Sequence, residues 1–217
     1  MLFSSYKIFQ RLFVLLVLSL VMVAASDAQT YSHLNVKGRV RLEIPSDWTV
    51  SDSEQRKKIT EWSEKISGLQ NLHVASLSAQ SFPAPSKMFV RVSFVKMDYL
   101  ITQTQLQKEV SINRQGFLRE VEDAWNSESP AMWSALSKTG VKAVGKPNFS
   151  IEPLGGQMAI VIKYVRTSVG NPNEVVNVAQ YQILLGEEKA MITLSVVGSD
   201  TSTQVIHDRI KASFSIQ

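Results

Sequence analysis

The sequence predicts an α+β protein built on a single antiparallel β-sheet of six to seven strands, with helices on both faces as in an α/β/α sandwich. Three observations favour this fold class. Short apolar stretches alternate with polar residues at a period of two, which is typical of strands. Three such stretches follow one another near the C-terminus with short turns between them, as in an antiparallel meander. Segments with helical spacing precede and follow the meander, so each face of the sheet has a helix to cover it.

Length and composition fit one folded domain. The chain has 217 residues, of which 44% are hydrophobic, and it contains no cysteine. The absence of cysteine excludes a disulfide framework and any Cys-based metal site or nucleophile. The formal net charge of +4 is spread along the chain and does not form a basic stripe with aromatic residues, so nucleic acid is not an expected partner. An exported domain of this size without cysteine is typical of a bacterial envelope.

The first 28 residues have the layout of a secretory signal peptide. A positively charged start is followed by an apolar run from Leu12 to Ala25. Ser26 and Ala28 satisfy the small-x-small cleavage pattern, which places the cut between Ala28 and Gln29. The run is shorter than the ~20 residues that a spanning helix needs. We therefore expect a periplasmic or secreted protein whose residues 29–217 form one domain with no stable membrane span; retention of the leader as an uncleaved anchor is the alternative.

The mature chain begins with a strand and a helix. Alternating apolar and polar residues predict a strand over Arg39–Ile44. A helix is predicted over Glu54–Ser67, where Ile59, Trp62 and Ile66 share one face at helical spacing. That face is expected to pack against the sheet.

A hairpin and a long helix follow. Strands are predicted over Leu72–Ser81 and Met88–Met97, with a proline-rich turn between them. Thr102 or Thr104 is expected to cap a helix that runs to about Asn126.

The helix is predicted to end near Pro130, because proline lacks the N–H that continues a helix. A short helix over Ala131–Lys138 then follows. The meander is predicted over four strands, Asn148–Leu154, Met158–Thr167, Val175–Leu185 and Ala190–Val197. A helix over Gln204–Ala212 and a short edge strand within Ser213–Ile216 close the chain.

Several stretches together resemble a known superfamily. They are Ile44-Pro45-Ser46-Asp47-Trp48, the turn and strand start over Gly155–Ile160, Gln180-Tyr181, Ile192–Ser195 and the ending Ser213–Ile216. In this order they are similar to the PsbP-like and DcrB-like superfamily, a fold shared with a Ran-binding nuclear import factor and with a lumenal subunit that assists photosystem II. The resemblance covers most of the mature chain apart from residues 98–146. It implies an α/β/α sandwich and a non-catalytic role, although the lipidation cysteine of many bacterial members is missing.

No catalytic, cofactor-binding or metal-binding residue is assigned. The histidines His33, His73 and His207 lie far apart, with no second histidine at ligand spacing. The acidic residues over 120–123 fall on the solvent side of the long helix. Gly-x-Ser-x-Gly is absent, although a Ser/His/Asp triad scattered along the sequence stays open as an alternative.

We expect a non-enzymatic exported protein that binds another envelope protein or assists assembly. Met132 and Trp133 follow Pro130 in a stretch without clear periodicity, and they are the candidate apolar contact patch. The alternative is a small-molecule or lipid-binding protein with a cavity between the sheet and the long helix. Arg56-Lys57-Lys58 forms a short basic run that suits either a polar helix face or a contact with anionic lipid.

Overall fold

The computed structural model describes residues 29–67, 74–83, 86–198 and 201–217. These residues form ten strands and three helices, and Tyr31–Gln217 group into one unit. In chain order the elements are β1 (Tyr31–Val36), β2 (Val40–Pro45), β3 (Thr49–Val50), α1 (Ser53–Ser67), β4 (Leu77–Gln80), β5 (Met88–Ile101), α2 (Gln103–Ser137), β6 (Ala143–Leu154), β7 (Gln157–Ser168), β8 (Asn171–Leu184), β9 (Gly186–Val197), α3 (Thr201–Ser213) and β10 (Ser215–Ile216). The predicted signal peptide, residues 1–28, lies outside the described part of the chain.

The strands form two sheets, so the prediction of one sheet of six to seven strands is wrong in this respect. A seven-stranded antiparallel sheet has the order β3-β4-β5-β9-β8-β7-β6, and a three-stranded sheet has the order β1-β2-β10. The mixed α+β class and the large antiparallel sheet are confirmed. The first predicted strand, now β2, pairs with β1 and β10 and packs face to face on the large sheet instead of joining its edge.

The main core lies between the two sheets. Alternate residues of β2 point at alternate residues of the central strands of the large sheet, and α3 and the end of the chain complete the layer. Its buried members include Val40, Leu42, Ile44, Val90, Val92, Val161, Tyr181, Ile183, Ile192, Ile210 and Phe214. One face of the large sheet is therefore covered by the small sheet together with α3.

Strand β1 has no counterpart in the sequence prediction. Its residues, Tyr-Ser-His-Leu-Asn-Val, are mostly polar and half exposed, so they lack a clear period-two signal. The turn that joins β1 to β2 is recognisable in retrospect. Lys37 and Gly38 both have positive φ, and the Arg39 N–H donates to the Val36 carbonyl, as in a type I′ hairpin turn.

The other face of the large sheet carries α2. Thr102 caps this helix as predicted: its hydroxyl accepts from the Gln105 N–H, and the Gln105 side chain accepts from the Thr102 N–H. The predicted break at Pro130 is wrong, because the helix continues through Pro130 to Ser137. The break instead occurs at Asn113, whose φ of −152° and ψ of 76° are not helical.

Helix α1 has the predicted extent but the opposite orientation. Ile59 is 47% exposed and Trp62 is 54% exposed, whereas Thr60 is buried. The third residue of the predicted stripe, Ile66, has a side chain outside the described set. The inward side of α1 is a polar stripe in which Thr60 donates to the carbonyl of Arg56, while the Arg56 guanidinium donates to the Ser51 carbonyl.

The C-terminal meander agrees with the sequence. The four predicted strands are β6 to β9, each a few residues longer than expected. The closing helix is α3, and the predicted edge strand is β10, which pairs with β2. Within the described ranges, no helix has the length and apolar character needed to cross a bilayer.

Candidate binding crevice

A crevice separates the second half of α2 from the large sheet. Its volume is about 380 Å³, which is within the range of small-molecule sites. The crevice is lined by Val121, Ala124, Trp125, Glu128, Ser129 and Met132 of α2, Ile160 and Ile162 of β7, Gln180 and Gln182 of β8, and Lys189 and Met191 of β9. Apolar and hydrogen-bonding groups of a helix and a sheet converge here around open space. A larger cavity, about 560 Å³, is lined by residues of β6 to β9 and of α3.

The first half of α2 is fixed by an apolar cluster. Leu106 and Val110 are buried against Ile151 of β6 and Leu184 of β8. The Gln103 side chain adds polar anchors, because its amide donates to the carbonyls of Met158 and Leu184 and accepts from the Met158 N–H. This end of the helix therefore has a defined position on the sheet.

The second half of α2 takes its direction from Asn113. The Asn113 side-chain oxygen accepts from the Gly116 N–H at 2.9 Å, which is the geometry of an N-cap at the start of a new helix. A Cβ at position 116 would lie 2.3 Å from Asn113 Nδ2, so any larger residue there would displace the capping side chain. The cap re-aims the helix before it reaches the crevice.

Aromatic packing fixes the position of Trp125 in the crevice wall. The Trp125 ring lies 5.5 Å from Tyr164 and 6.4 Å from Phe149, measured between ring centroids. Trp133 contacts the same tyrosine edge-on at 5.6 Å. Such pairs are worth about 0.5–1.5 kcal/mol each beyond the area that they bury. Burial raises the pKa of Tyr164, so its ring stays neutral.

The floor of the crevice is half apolar and half polar. Across paired strands, Ile160 lies opposite Gln182, Ile162 opposite Gln180, and Gln182 opposite Met191. These residues share one face of the sheet, because side chains on a strand alternate between its faces.

The polar half forms a connected row, Lys189–Gln182–Gln180, which we call the polar row. Lys189 Nζ donates to Gln182 Oε1 at 3.1 Å, and Gln182 Nε2 donates to Gln180 Oε1 at 3.2 Å. The amide orientations follow from chemistry: lysine can only donate, so Gln182 must turn its oxygen to Lys189 and its nitrogen to Gln180. Every amide oxygen in the polar row is therefore already engaged.

Burial lowers the pKa of Lys189, and the charge of Glu128 acts in the opposite direction. Glu128 is exposed and belongs to the α2 wall of the crevice. The crevice thus carries one partly desolvated cation on the sheet and one solvated carboxylate on the helix.

The two residues of the predicted contact patch have different surroundings. Met132 is half buried and lines the crevice, whereas the half-buried Trp133 contacts Tyr164 edge-on. Of the two, Met132 belongs to the crevice lining, and the interaction role expected of the pair stays a prediction.

The other residues considered from the sequence lie elsewhere. Glu120, Glu122 and Asp123 are exposed on α2. His33 Nδ1 lies 3.5 Å from Glu43, and His207 Nδ1 lies 3.2 Å from Asp208. His73 is outside the described residues, and no three His, Asp or Glu side chains among the described residues gather as metal ligands.

A second polar cluster lies on the opposite face of the sheet. The Glu152 carboxylate accepts from Lys163 at 2.6 Å and from Lys211 of α3 at 2.5 Å. Lys211 also lies over the ring of the buried Tyr181, 5.3 Å from its centroid. Its charged residues also border separate cavities: Lys163 lines one of about 560 Å³, Glu152 one of about 370 Å³ and Lys211 one of about 330 Å³. Because its charges are paired with one another and join α3 to the sheet, we assign this cluster to stability.

Sequence reasoning missed the polar row, although a signal for it was present. Gln180 and Gln182 alternate with Ala179, Tyr181 and Ile183 in a strand that a meander places at the centre of the sheet. Polar residues on a covered face of a central strand require partners or a site. Lys189 could not be joined to them from sequence, because its partner depends on strand register.

Comparisons with known proteins give structural likenesses and no match in sequence. No family model and no curated protein sequence matches the chain. Among solved structures, the chain is similar to cyanobacterial PsbP (CyanoP) from Synechocystis sp. PCC 6803, with a TM-score of 0.47, 13% identity, and coverage of 89% of this chain and 96% of that one.

Two further solved structures show the same likeness. LpqN of Mycobacterium tuberculosis, described as involved in cell envelope biogenesis, matches with a TM-score of 0.39 and 15% identity over 89% of this chain and 87% of LpqN. The Ran-binding protein Mog1p of Saccharomyces cerevisiae matches with a TM-score of 0.39 and 10% identity over 87% of this chain and 96% of Mog1p. These structures include a PsbP and a Ran-binding protein, the kinds of protein that the sequence resemblance named. At 10–15% identity and TM-scores below 0.5, the likeness is one of fold, and nothing further is concluded from it.

Proposed function

We propose that this chain is a non-enzymatic binding protein of the cell envelope and that the crevice beneath α2 is its binding site. The envelope location is supported by the leader pattern of residues 1–28. The single observation that carries the binding role is the crevice itself, where apolar side chains and the polar row share one wall.

The crevice suits a small molecule with both apolar and polar parts. Ile160, Ile162 and Met191 offer an apolar floor, and Met132 and Trp125 offer an apolar wall. A folded protein surface is too broad for a space of about 380 Å³, and specific protein interfaces bury about 800 Å² per partner. A small molecule is therefore the better match to this site.

The experiment that tests the proposal fills the crevice. Ala124 is exposed at the crevice wall, whereas Ser127 is exposed on α2 and does not line the crevice. Ala124→Trp should occupy the space, and Ser127→Trp adds the same bulk on the solvent side. Protein purified from the envelope fraction of expressing cells is denatured and extracted, and the released small molecules are identified by mass spectrometry.

We expect a molecule to co-purify with the wild type and with Ser127→Trp but not with Ala124→Trp. Both variants should keep the wild-type circular dichroism spectrum. Equal recovery from all three proteins, or no small molecule from a wild type confirmed to be folded, contradicts the proposal.

A second candidate function, the docking of a partner protein, is favoured by α1. Ile59 and Trp62 lie one turn apart and are both about half exposed, although helices usually bury such residues. An exposed tryptophan beside an aliphatic residue is typical of an interface anchor. This surface is separate from Met132 and Trp133, for which an interface role was predicted.

A photo-crosslinking residue at position 62 tests this candidate. An assembly partner should be captured from position 62 but not from the exposed position 61, and Ile59→Ser should reduce the capture of that same protein. Capture that is equal at both positions, or unchanged by Ile59→Ser, counts against docking through α1.

A further inference from the structure

The polar row has more free hydrogen-bond donors than free acceptors, because each glutamine oxygen already accepts one hydrogen bond inside the row. The oxygens of Gln182 and Gln180 are already used inside the row. What remains are N–H groups: those of Lys189 that do not bind Gln182, the second N–H of Gln182, and the amide N–H groups of Gln180, which make no hydrogen bond in the described structure. A guest that supplies acceptors therefore satisfies more of this row than one that supplies donors.

The positive charge of the polar row also favours a guest that carries anionic acceptors. Lys189 is the cation of the row, and its ammonium is partly withdrawn from water. Hydrogen bonds between a charged donor and an anionic acceptor are about twice as strong as neutral ones. A carboxylate or phosphate therefore gains more here than a neutral acceptor such as a hydroxyl.

The rest of the crevice excludes a small free anion as the preferred guest. Ile160, Ile162 and Met191 lie beside the row on the same face of the sheet, and Trp125 and Met132 lie across from them on α2. An ion without an apolar body would leave these side chains uncovered, so their burial would contribute nothing to its binding. The polar row and the apolar side chains are thus adjacent halves of one site, the first suited to a charged head group and the second to an apolar body of the same molecule.

Resting on the proposed binding function, we infer that the crevice selects amphiphiles with an anionic, acceptor-only head group and an apolar body, and that the polar row, through Lys189, holds the head group. Glu128 on the opposite wall opposes the anion and so limits the affinity. A fatty carboxylate and a single-chain phosphate share this chemistry, and the test includes both.

The test measures binding by isothermal titration calorimetry with four probes: octanoate, octyl phosphate, octanol and acetate. Octanol has the body without the charge, and acetate has the charge without the body. We expect at least one of the two anionic octyl probes to bind roughly tenfold or more tightly than octanol, as one charge-assisted contact predicts. Acetate should bind much more weakly than octanoate.

Two variants assign the effect to named residues. Lys189→Met keeps a similar side-chain length without charge, and it should abolish the preference for the anionic head while octanol binding changes little. Glu128→Gln changes only an exposed side chain, so the fold is retained, and it should strengthen binding of the anionic probes without affecting octanol.

The outcomes separate this inference from the proposed function. Equal affinity for octanol and both anions, or a preference that survives Lys189→Met, overturns the anionic head group while leaving the crevice as a binding site. If no probe binds but a molecule still co-purifies with wild type and not with Ala124→Trp, the ligand class is again wrong and the site stands. If no molecule co-purifies and no probe binds, both fail.

Discussion

At the scale of single residues, Glu152 shows how a charge can be kept inside the fold. Its side chain is only 20% exposed, and burial by itself raises the pKa of a carboxyl. The hydrogen bonds and charges of Lys163 and Lys211 outweigh this and lower the pKa of Glu152 to about 2. Nearby Tyr181, 1% exposed, has its pKa raised to about 12 by burial and by the charge of Glu152.

The depressed pKa of Glu152 makes its contribution to stability dependent on pH. In the unfolded chain a glutamate has a pKa of about 4.3. The stabilisation is therefore present above that value and is lost as the pH falls toward the folded value near 2. Glu152→Gln should lower the free energy of unfolding by about 1–3 kcal/mol at pH 7. Most of this difference from wild type should disappear when urea unfolding is repeated near pH 2.

The control for this prediction is Glu54→Gln. Glu54 pairs with Lys58 on α1, where both side chains are largely exposed. Such a pair is worth at most about 0.5 kcal/mol. A Glu54→Gln effect as large as that of Glu152→Gln, or a Glu152→Gln effect that does not change between pH 7 and pH 2, contradicts the assignment.

At the scale of elements, α2 behaves as two helices joined by a cap. The break at Asn113 costs one turn of regular hydrogen bonding, and the Asn113 side chain restores one partner by accepting from the Gly116 N–H. Gly116 is ordinarily a weak helix residue, yet here its missing Cβ makes room for the cap. Asn113 and Gly116 therefore act together to set the direction of the second half of α2, which forms one wall of the crevice.

A double-mutant cycle tests this joint role. Asn113→Ala should cost about 1 kcal/mol, which is typical of a lost N-cap. Gly116→Ala should give no gain in the wild type, because its Cβ displaces the Asn113 side chain, but it should stabilise the Asn113→Ala variant by about 0.5–1 kcal/mol. Urea unfolding of the wild type, the two single variants and the double variant gives the coupling free energy between positions 113 and 116. A Gly116→Ala effect that is the same with Asn113 and with Ala at position 113 contradicts a shared role in the cap.

The sequence predicts elements better than it predicts their orientation. The cap at Thr102 and the meander strands follow from local chemistry, and both are confirmed. The stripe that contains Ile59 and Trp62 is a true helical stripe, but periodicity shows which residues share a face and not which way the face points. The inward turn of Thr60 depends on contacts with the rest of the fold. The predicted end of the helix at Pro130 is wrong for a related reason: a long helix that is packed at both ends tolerates one missing hydrogen bond.

The candidate site was predictable only in outline. A cavity between the sheet and the long helix was an expectation of the lipid-binding alternative, and Met132 was singled out for other reasons. The alternation of Gln180 and Gln182 is visible in the sequence. The bond from Lys189 to Gln182 is not, because it joins neighbouring strands whose register is set by the whole sheet.

At the scale of the whole molecule, the two sheets meet at the β6–β7 turn. A Cβ on Gly155 would lie 3.2 Å from the backbone Cα of Ser215 in β10. Strand β10 is in turn held to β2, and the Gln217 N–H donates to the Arg39 carbonyl. The turn of the large sheet therefore lies against the last strand of the small sheet, and the missing Cβ of Gly155 allows this close approach.

Neighbouring Gly156 offers a matched control for this contact. Both glycines have positive φ, +60° and +77°, but a Cβ on Gly156 meets nothing within 4 Å. Each substitution by alanine should cost about 1–2 kcal/mol from backbone strain alone. Gly155→Ala should cost roughly a further 1–3 kcal/mol, because the backbone of β10 must shift. Hydrogen exchange should then show faster exchange of the Gln217 amide in Gly155→Ala than in Gly156→Ala. Equal loss of stability and equal exchange in the two variants mean that the sheets are held together by their shared apolar core without this contact.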